Sequence, residues 1–297
     1  MDDIGTYQER KFPAFRNPTI DVLEHGRKKH HIPLLLEIDV TEARTYLRQI
    51  KAESGQSLSF TAWVMACVGR AVSEHKNVHA LRKGRRRLIL FDDVDISVLV
   101  ERALEQRAVS GDGRDGDGRA QTLPMPTIIR KTNEKSVQVI HNEIRAAQEA
   151  PLAKDEVQIG GERRAWATRL FAVLPAFLRH LIVWRRLARD PFLAKKMMGT
   201  VVVTSAGSVG TGSVGKENGS AWGIPLGIHP LIVAVGSIAR KPGVVGEAIE
   251  IREVLSLTVL FDHDVTDGAP VARFVQTLKE LLATGYALDE ISSGAFK

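Results

Sequence analysis

The chain of 297 residues carries 44% hydrophobic and 26% charged residues, the balance of a globular protein that buries an ordinary core without disulfides or a structural metal. Its single cysteine, Cys67, excludes an internal disulfide and a cysteine-rich zinc site. The net charge of +6 is concentrated, because residues 163–196 hold nine Lys/Arg and one acid, Asp190, while the remainder holds 32 basic and 34 acidic residues; a general nucleic-acid-binding surface is therefore not expected.

The opening MDDIGTYQERKF is polar and lacks the apolar core of a signal peptide. No uncharged apolar run reaches the length of a membrane span, so the expected compartment is the cytoplasm. Residues 1–30, broken by Pro13 and Pro18, read as an arm or short helix ending in the basic cluster Arg27, Lys28, Lys29, His30 and His31. Residues 31–297 read as one domain. PLLLEIDVT predicts a strand, and Thr41 is placed to cap the helix EARTYLRQIKAES. LSFTAWVMACVGRAVSEH has apolar residues at Phe60, Val64, Val68, Ala71 and Val72, the spacing of a largely buried helix, in which Cys67 is an inert thiol. The basic turn KGRRR leads to the strand-like runs RLILF and DVDISVLVE. GDGRDGDGR then breaks the pattern as an exposed, flexible connector; it lacks the terminal Glu of a calcium loop and the Gly-Lys-Ser/Thr ending of a phosphate loop.

PTIIRK predicts a strand and EKSVQVIHNEIRAAQEA a helix. Residues 163–189 predict a long basic and apolar helix interrupted by Pro175, with Trp166, Phe171, Phe177 and Trp184 among the arginines. TVVVTSAG is a strand followed by a Gly/Ser-rich loop. LIVAVGSI, the short AIEIRE and LSLTVLFD are three further strands. A closing helix, APVARFVQTLKELLATG, carries the stripe Val271, Phe274, Val275, Leu278, Leu281 and Leu282. Strands and helices mix without strict alternation, which predicts a mixed sheet covered by helices in an α/β (α+β) arrangement.

The chemistry points to one place. The strand LSLTVLF runs into Asp262-His263-Asp264-Val265-Thr266-Asp267-Gly268, and a helix follows. A histidine at a strand end stands well in a cleft, and a neutral imidazole takes a proton from a thiol or hydroxyl near neutral pH. Asp267 would fix the turn and Gly268 would permit an unusual backbone angle. The ordinary alternative is that Asp267 caps the final helix and His263 is incidental; spacing alone leaves both open.

From about Pro33 to Leu282 the chain resembles the catalytic domain of the 2-oxo acid dehydrogenase acyltransferases (dihydrolipoamide acyltransferases). The segments that carry the resemblance are IPLLLEIDVTEARTYLRQIK, FDDVDISVLVE, LPMPTIIRKTNEKSVQVIHNEI and, most specifically, PLIVAVGSIARKPGVVGEAIEIREVLSLTVLFDHDVTDGAPVARFVQTLKELL. The resemblance implies the two-layer sandwich shared with chloramphenicol acetyltransferase. It implies an acyltransferase that moves an acyl group between a thioester and a thiol or small acceptor, with coenzyme A or acyl-coenzyme A as substrate. His263 is then the general base. Thr204, at the end of TVVVTSAG, is the hydroxyl that stabilises the oxyanion, with Ser205 as the alternative and a candidate contact to the coenzyme. Asp267 is then structural, held by an arginine of the arm, Arg16 or Arg27. A homotrimer follows, with His263 of one chain facing Thr204 of its neighbour. No metal or redox cofactor is implied.

This sequence departs from the family pattern at several points. Asp264 stands where the family has an arginine, and His79 where it often has asparagine. The loop GDGRDGDGR replaces a short turn. No lipoyl or peripheral-subunit-binding domain precedes the catalytic region, so a lipoyl group or acyl carrier would come on another protein in trans. The inserted segment 163–196 is longer and more basic than its counterpart. It reads either as a helix packing on the trimer or over the active-site entrance, or as a peripheral membrane contact. A trimeric scaffold without activity and a membrane-associated acyl- or lipid-binding protein are the rival functions.

Overall fold

The computed structural model describes residues 5–9, 12, 16–103, 122–150, 174–205 and 219–292. The Gly/Asp connector, the first part of the basic insertion and most of the Gly/Ser-rich loop lie outside these residues.

The arm contains a helix, α1 (Asn17–Gly26), with Pro18 in its first turn, where the fixed φ of proline suits helix entry. Strand β1 (His31–Asp39) leads to α2 (Thr41–Ser54). Thr41 does not cap this helix. It is the first helical residue, after Val40 at the N-cap position, and the Asp39 Oδ1 accepts from the Thr41 N–H at 2.9 Å and the Thr41 hydroxyl at 2.6 Å. Helix α3 (Phe60–Glu74) is capped by Ser59, whose Oγ accepts from Ala62 N, and it runs through the centre of the core with Trp63, Met65 and Val68 fully buried. Cys67 is buried on the same helix, and desolvation pushes its thiol far up, leaving it inert.

The KGRRR turn closes a hairpin of β2 (Leu81–Lys83) and β3 (Arg87–Ile89). Then follow β4 (Ile96–Ala103), β5 (Thr122–Ile129) and α4 (Val137–Glu149), the last capped by Ser136. The described part of the insertion has a helix that starts after Pro175, and the expected helix before it lies outside the described residues. Helix α5 (Ala176–Arg179) continues through a π-turn (His180–Trp184) into α6 (Arg185–Leu187), and α7 (Pro191–Met198) follows, capped by Asp190. The chain closes with β6 (Val201–Ser205), β7 (Leu231–Val245), β8 (Ala248–Asp262), α8 (Gly268–Ala283) and α9 (Leu288–Ser292). AIEIRE and LSLTVLFD are thus one strand of 15 residues, not two. The two long strands pair from Leu231–Phe261 out to Val245–Ala248, carrying Pro242 and Gly243 within an exposed two-stranded ribbon.

The main sheet has the order β1-β8-β7-β6-β4-β5 and is mixed, with β6 parallel to both β7 and β4 and the other pairs antiparallel. Alternate residues of each strand point to opposite faces. One face, carrying Leu255, Leu257, Val259, Phe261, Leu231, Val233, Val201 and Val203, packs against α2, α3, α4 and α8 in a single core. The opposite face bears Leu35, Leu99 and Thr204, and is partly covered by the extended segment 219–230. A helix layer on a sheet layer is the predicted architecture.

Two polar anchors set the start of β6. Asp95, only 4% exposed, accepts from Lys195 Nζ at 2.9 Å, Arg130 Nη1 at 3.0 Å and the Lys131 N–H at 2.9 Å. Burial alone would raise its carboxyl, but these three donors hold it below the usual carboxylate range. Its backbone carbonyl accepts from Thr200 N and meets Gly199, whose φ of 76° and 2.6 Å clearance admit no side chain. His79, fully buried, donates from Nε2 to Phe91 O at 3.1 Å and accepts at Nδ1 from the Thr200 hydroxyl at 2.8 Å.

Burial pushes the His79 pKa down from 6.5 to about 4, so the folded protein keeps the ring neutral. Below pH 6.5 the unfolded chain takes up a proton that the native state refuses. Stability that is complete above pH 6.5 therefore falls as the pH drops toward 4, by about 1.4 kcal/mol per pH unit for this residue. In urea melts between pH 7.5 and 4.5 the His79→Asn variant is expected to show a shallower acid loss than wild type; equal slopes would contradict this.

Candidate active site

The site is built where β8 leaves the sheet. Strand β1 pairs with β8 over nine residues and ends with His31 opposite Asp262. The Asp262 side chain is 0% exposed, and both its oxygens are held. Oδ2 accepts from Lys29 Nζ at 2.8 Å, and Oδ1 from the Asp264 N–H at 3.2 Å. The Asp262 carbonyl accepts from Val265 N and Thr266 N, closing the turn. His263 N–H donates to the His30 carbonyl at 3.0 Å, so the backbone of the histidine is tied to the segment that follows α1.

The His263 imidazole is 44% exposed, tilted 5.9 Å from the Phe261 ring, with Nδ1 4.0 Å from Asp267 Oδ1. Asp267 occupies the N-cap position of α8, yet its side chain makes no capping bond and is 86% exposed. Capping therefore does not account for its carboxylate. Gly268 is the first helical residue, its φ lies outside the left-handed region, and open space surrounds it. The expected unusual backbone angle is absent, because the turn is closed by hydrogen bonds to Asp262 instead.

Arg16 and Arg27 are exposed at the two ends of α1, and neither pairs with Asp267. Other side chains grip this corner. Lys29 holds Asp262, and His30 Nδ1 donates to Asp264 Oδ1 at 2.9 Å. His30 beside it, with Lys29 and Arg82 further off, holds the Asp264 carboxyl below the usual range. His31 Nε2 donates to the His229 carbonyl at 2.8 Å, and His229 Nε2 donates to the Met198 carbonyl at 3.0 Å. Desolvation pushes His229 down to about 4, so it stays neutral. The basic cluster at 27–31 was legible in the sequence, but nothing in it told which member would meet the Asp-His-Asp run.

Thr204 is the fourth residue of β6, half-buried, and Ser205 ends the strand, exposed. Thr204 pairs with Ala234, which pairs with Thr258, so the hydroxyl is level with a point five residues before His263 and two strands away. That places Thr204 about 16 Å along the strands and about 10 Å across them from the histidine. One chain does not bring the two together.

Residues 198–288 match the family described as 2-oxoacid dehydrogenases acyltransferase (catalytic domain). The matched segment begins at the last residue of α7 and takes in the turn from Asp262 to Gly268 around His263. Over 105 residues the chain is 38% identical to a dihydrolipoyllysine-residue acetyltransferase component of the pyruvate dehydrogenase complex from Acholeplasma laidlawii, covering 33% of this chain and 18% of that protein. Over 279 residues it is 23% identical to a lipoamide acyltransferase component of the branched-chain alpha-keto acid dehydrogenase complex from Bacillus subtilis, covering 90% of this chain and 50% of that one. The chain thus spans no more than half the length of these relatives. Its fold is that of a dihydrolipoamide acetyltransferase of Azotobacter vinelandii, with a TM-score of 0.65 at 18% identity over 97% of this chain and 96% of that one. For that enzyme a serine, a histidine and an asparagine have been examined for their role in the catalytic mechanism.

Replacing Lys29 by Met leaves a carboxylate buried without its cation, a change that typically costs ~3 kcal/mol or more. The expected result is a urea midpoint well below wild type for Lys29→Met and close to it for Lys29→Arg. Equal stability of all three would show that the Asp262 charge is held in some other way.

Proposed function

We propose that this protein transfers an acyl group between thioester and thiol, with His263 as general base. Coenzyme A and a dihydrolipoamide group are the two thiols, and a homotrimer completes each site. The observation that carries the reading is the half-exposed His263 imidazole on a backbone anchored from both sides, with Nδ1 turned toward Asp267. Nε2 is then the nitrogen offered to a thiol. It takes the S–H proton, and the thiolate attacks the carbonyl carbon of the thioester. The resulting tetrahedral oxyanion collapses, the C–S bond to the original carrier breaks, and the imidazolium returns its proton to the departing sulfur.

Asp267 stands four residues after His263, with no arginine upon it among the described residues. Its carboxylate acts directly, holding the Nδ1–H tautomer and balancing the imidazolium that forms. The Asp262 and Asp264 contacts keep the peptide of His263 from moving as the charge changes. Thr204 supplies the hydrogen bond to the oxyanion. It is too far from His263 in one chain to do so, which supports a site made from His263 of one protomer and Thr204 of the next. Ser205, exposed at the end of β6, contacts the bound coenzyme.

Thiol release from acyl-coenzyme A with free dihydrolipoamide as acceptor tests the reaction. His263→Ala is expected to abolish turnover with the trimer intact, and Thr204→Ala to lower kcat by ~10²–10³-fold, as loss of an oxyanion donor does. Unchanged turnover in His263→Ala would end this reading, and a folded trimer inert with every thioester would point to a scaffold.

The shared site makes a further demand. Equal amounts of the His263→Ala and Thr204→Ala protomers, dissociated and reassembled together, should regain about one quarter of wild-type activity, since one interface in four then pairs an intact histidine with an intact threonine. No recovery in demonstrably mixed trimers would place both groups in one chain.

A further inference from the structure

We propose that the outward face of the insertion, from Phe177 to Arg189, docks on an anionic phospholipid bilayer, with the arginine turn of the β2–β3 hairpin as its flank.

The face is fixed by what lies beneath it. Asp21 of α1, only 4% exposed, accepts from Arg179 Nε at 2.6 Å, Arg179 Nη2 at 2.8 Å and Trp184 Nε1 at 3.2 Å. His25 of the same helix stacks on Trp184, ring centroids 4.5 Å apart, and shares a hydrogen bond with His180 at 3.1 Å. Trp184 and Leu187 join Ala194, Val22 and Leu81 in a small apolar cluster. Arg179, Trp184 and Leu187 are thus committed inward, and a helix that buries one side presents the other. That other side carries Phe177, Leu181 and Ile182, which are 68%, 52% and 50% exposed. Arg185, Arg186 and Arg189 follow them, all exposed. Large apolar side chains gathered on an exposed helix mark a contact surface.

The charge of this surface has one sign. Residues 176–189 hold four arginines and no Asp or Glu, and Asp190, the next residue, is engaged in capping α7. The hairpin lies beside the helix, joined to the insertion through Leu81 and through Lys83 Nζ, 5.0 Å above the Phe192 ring. Its turn exposes Arg85, Arg86 and Arg87. None of the six exposed arginines of the helix and the turn forms an ion pair among the described residues.

Uncompensated cations favour an anionic partner. A soluble polyanion would meet the arginines and leave Phe177, Leu181 and Ile182 in water. A bilayer with acidic headgroups takes both, the arginines at its phosphates and the apolar side chains at the acyl boundary. It also needs no matching shape, which suits a face built from a helix and a hairpin turn. No helix of the described residues is long and apolar enough to cross a membrane, so the contact is peripheral.

Flotation of the full chain with vesicles tests this. It is read without turnover, so its outcome does not depend on the acyl-transfer reading. The chain is expected to float with vesicles of equal parts phosphatidylglycerol and phosphatidylcholine, to stay behind with phosphatidylcholine alone, and to be released as salt rises. Arg185→Glu/Arg186→Glu and Phe177→Ser/Leu181→Ser should each lower the partition coefficient about tenfold or more, while Arg185→Lys/Arg186→Lys keeps it within about twofold of wild type. Circular dichroism and assembly size at wild-type values in each variant show that the surface alone has changed. Failure of wild type to float with the phosphatidylglycerol vesicles at low salt overturns the proposal, as does equal flotation with phosphatidylcholine alone. Wild-type partition in both the Glu and the Ser variants overturns it too. A smaller assembly in Phe177→Ser/Leu181→Ser, with no lipid binding by wild type, would assign the face to a second copy of the chain instead.

Discussion

The antiparallel pairing of β1 with β8 is the constraint on which the site depends. Nine paired residues bring Lys29, His30 and His31, at the foot of β1, against Asp262, His263 and Asp264, at the end of β8. A slip of one residue would turn every side chain of β8 to the other face. Leu255, Leu257, Val259 and Phe261 would leave the helix layer, and the Asp262 carboxylate would point into it. The hydrophobic cost of that slip is several buried large side chains at about 1.5–3 kcal/mol each. The register, and with it the place of His263, is therefore paid for by the core.

Within that frame the buried Asp262–Lys29 pair acts as a lock rather than as a source of stability. Removing two charges from water costs about as much as their attraction returns. Its effect is geometric: with both carboxylate oxygens engaged and the His263 N–H bonded to the His30 carbonyl, the peptide of the histidine has no freedom to turn. Beyond the strand the side chain remains open to solvent, which is what a proton-transferring group requires. A rigid backbone under a half-exposed imidazole is the preorganisation that the proposed base role calls for.

The same topology explains why one chain keeps Thr204 apart from His263. Strand β6 runs parallel to β7, while β8 runs antiparallel to it, so the carboxyl ends of β6 and β8 point to opposite ends of the strands. No loop adjustment closes a gap set by strand directions. The insertion adds a second consequence of assembly from separate segments. Its Arg179 forms a bidentate pair with the buried Asp21 of α1, at 2.6 and 2.8 Å, and Trp184 donates to the same carboxylate. The segment is thereby fastened to the arm that carries Lys29 to His31, and its arginines come to rest beside the hairpin.

Local pattern by itself determined many of the elements. Alternation and helical spacing placed β1, α3, β6 and α8, because burying one face imposes a period that survives in the sequence. The Asp-His-Asp run at a strand end made His263 a candidate, and only the resemblance carried by the carboxyl-terminal block implied its chemistry. Tertiary structure decided what depends on residues far apart in the chain. That β7 and β8 form one long ribbon, that Thr41 starts α2 rather than caps it, and that Gly268 needs no special angle follow from cross-strand and turn contacts. The choice of Lys29 and His30, not Arg16 or Arg27, as the side chains that hold the corner came from the β1–β8 register. The separation of Thr204 from His263 came from strand direction. Each is a long-range pairing, set by packing free energy summed over the sheet and leaving no local mark on the sequence.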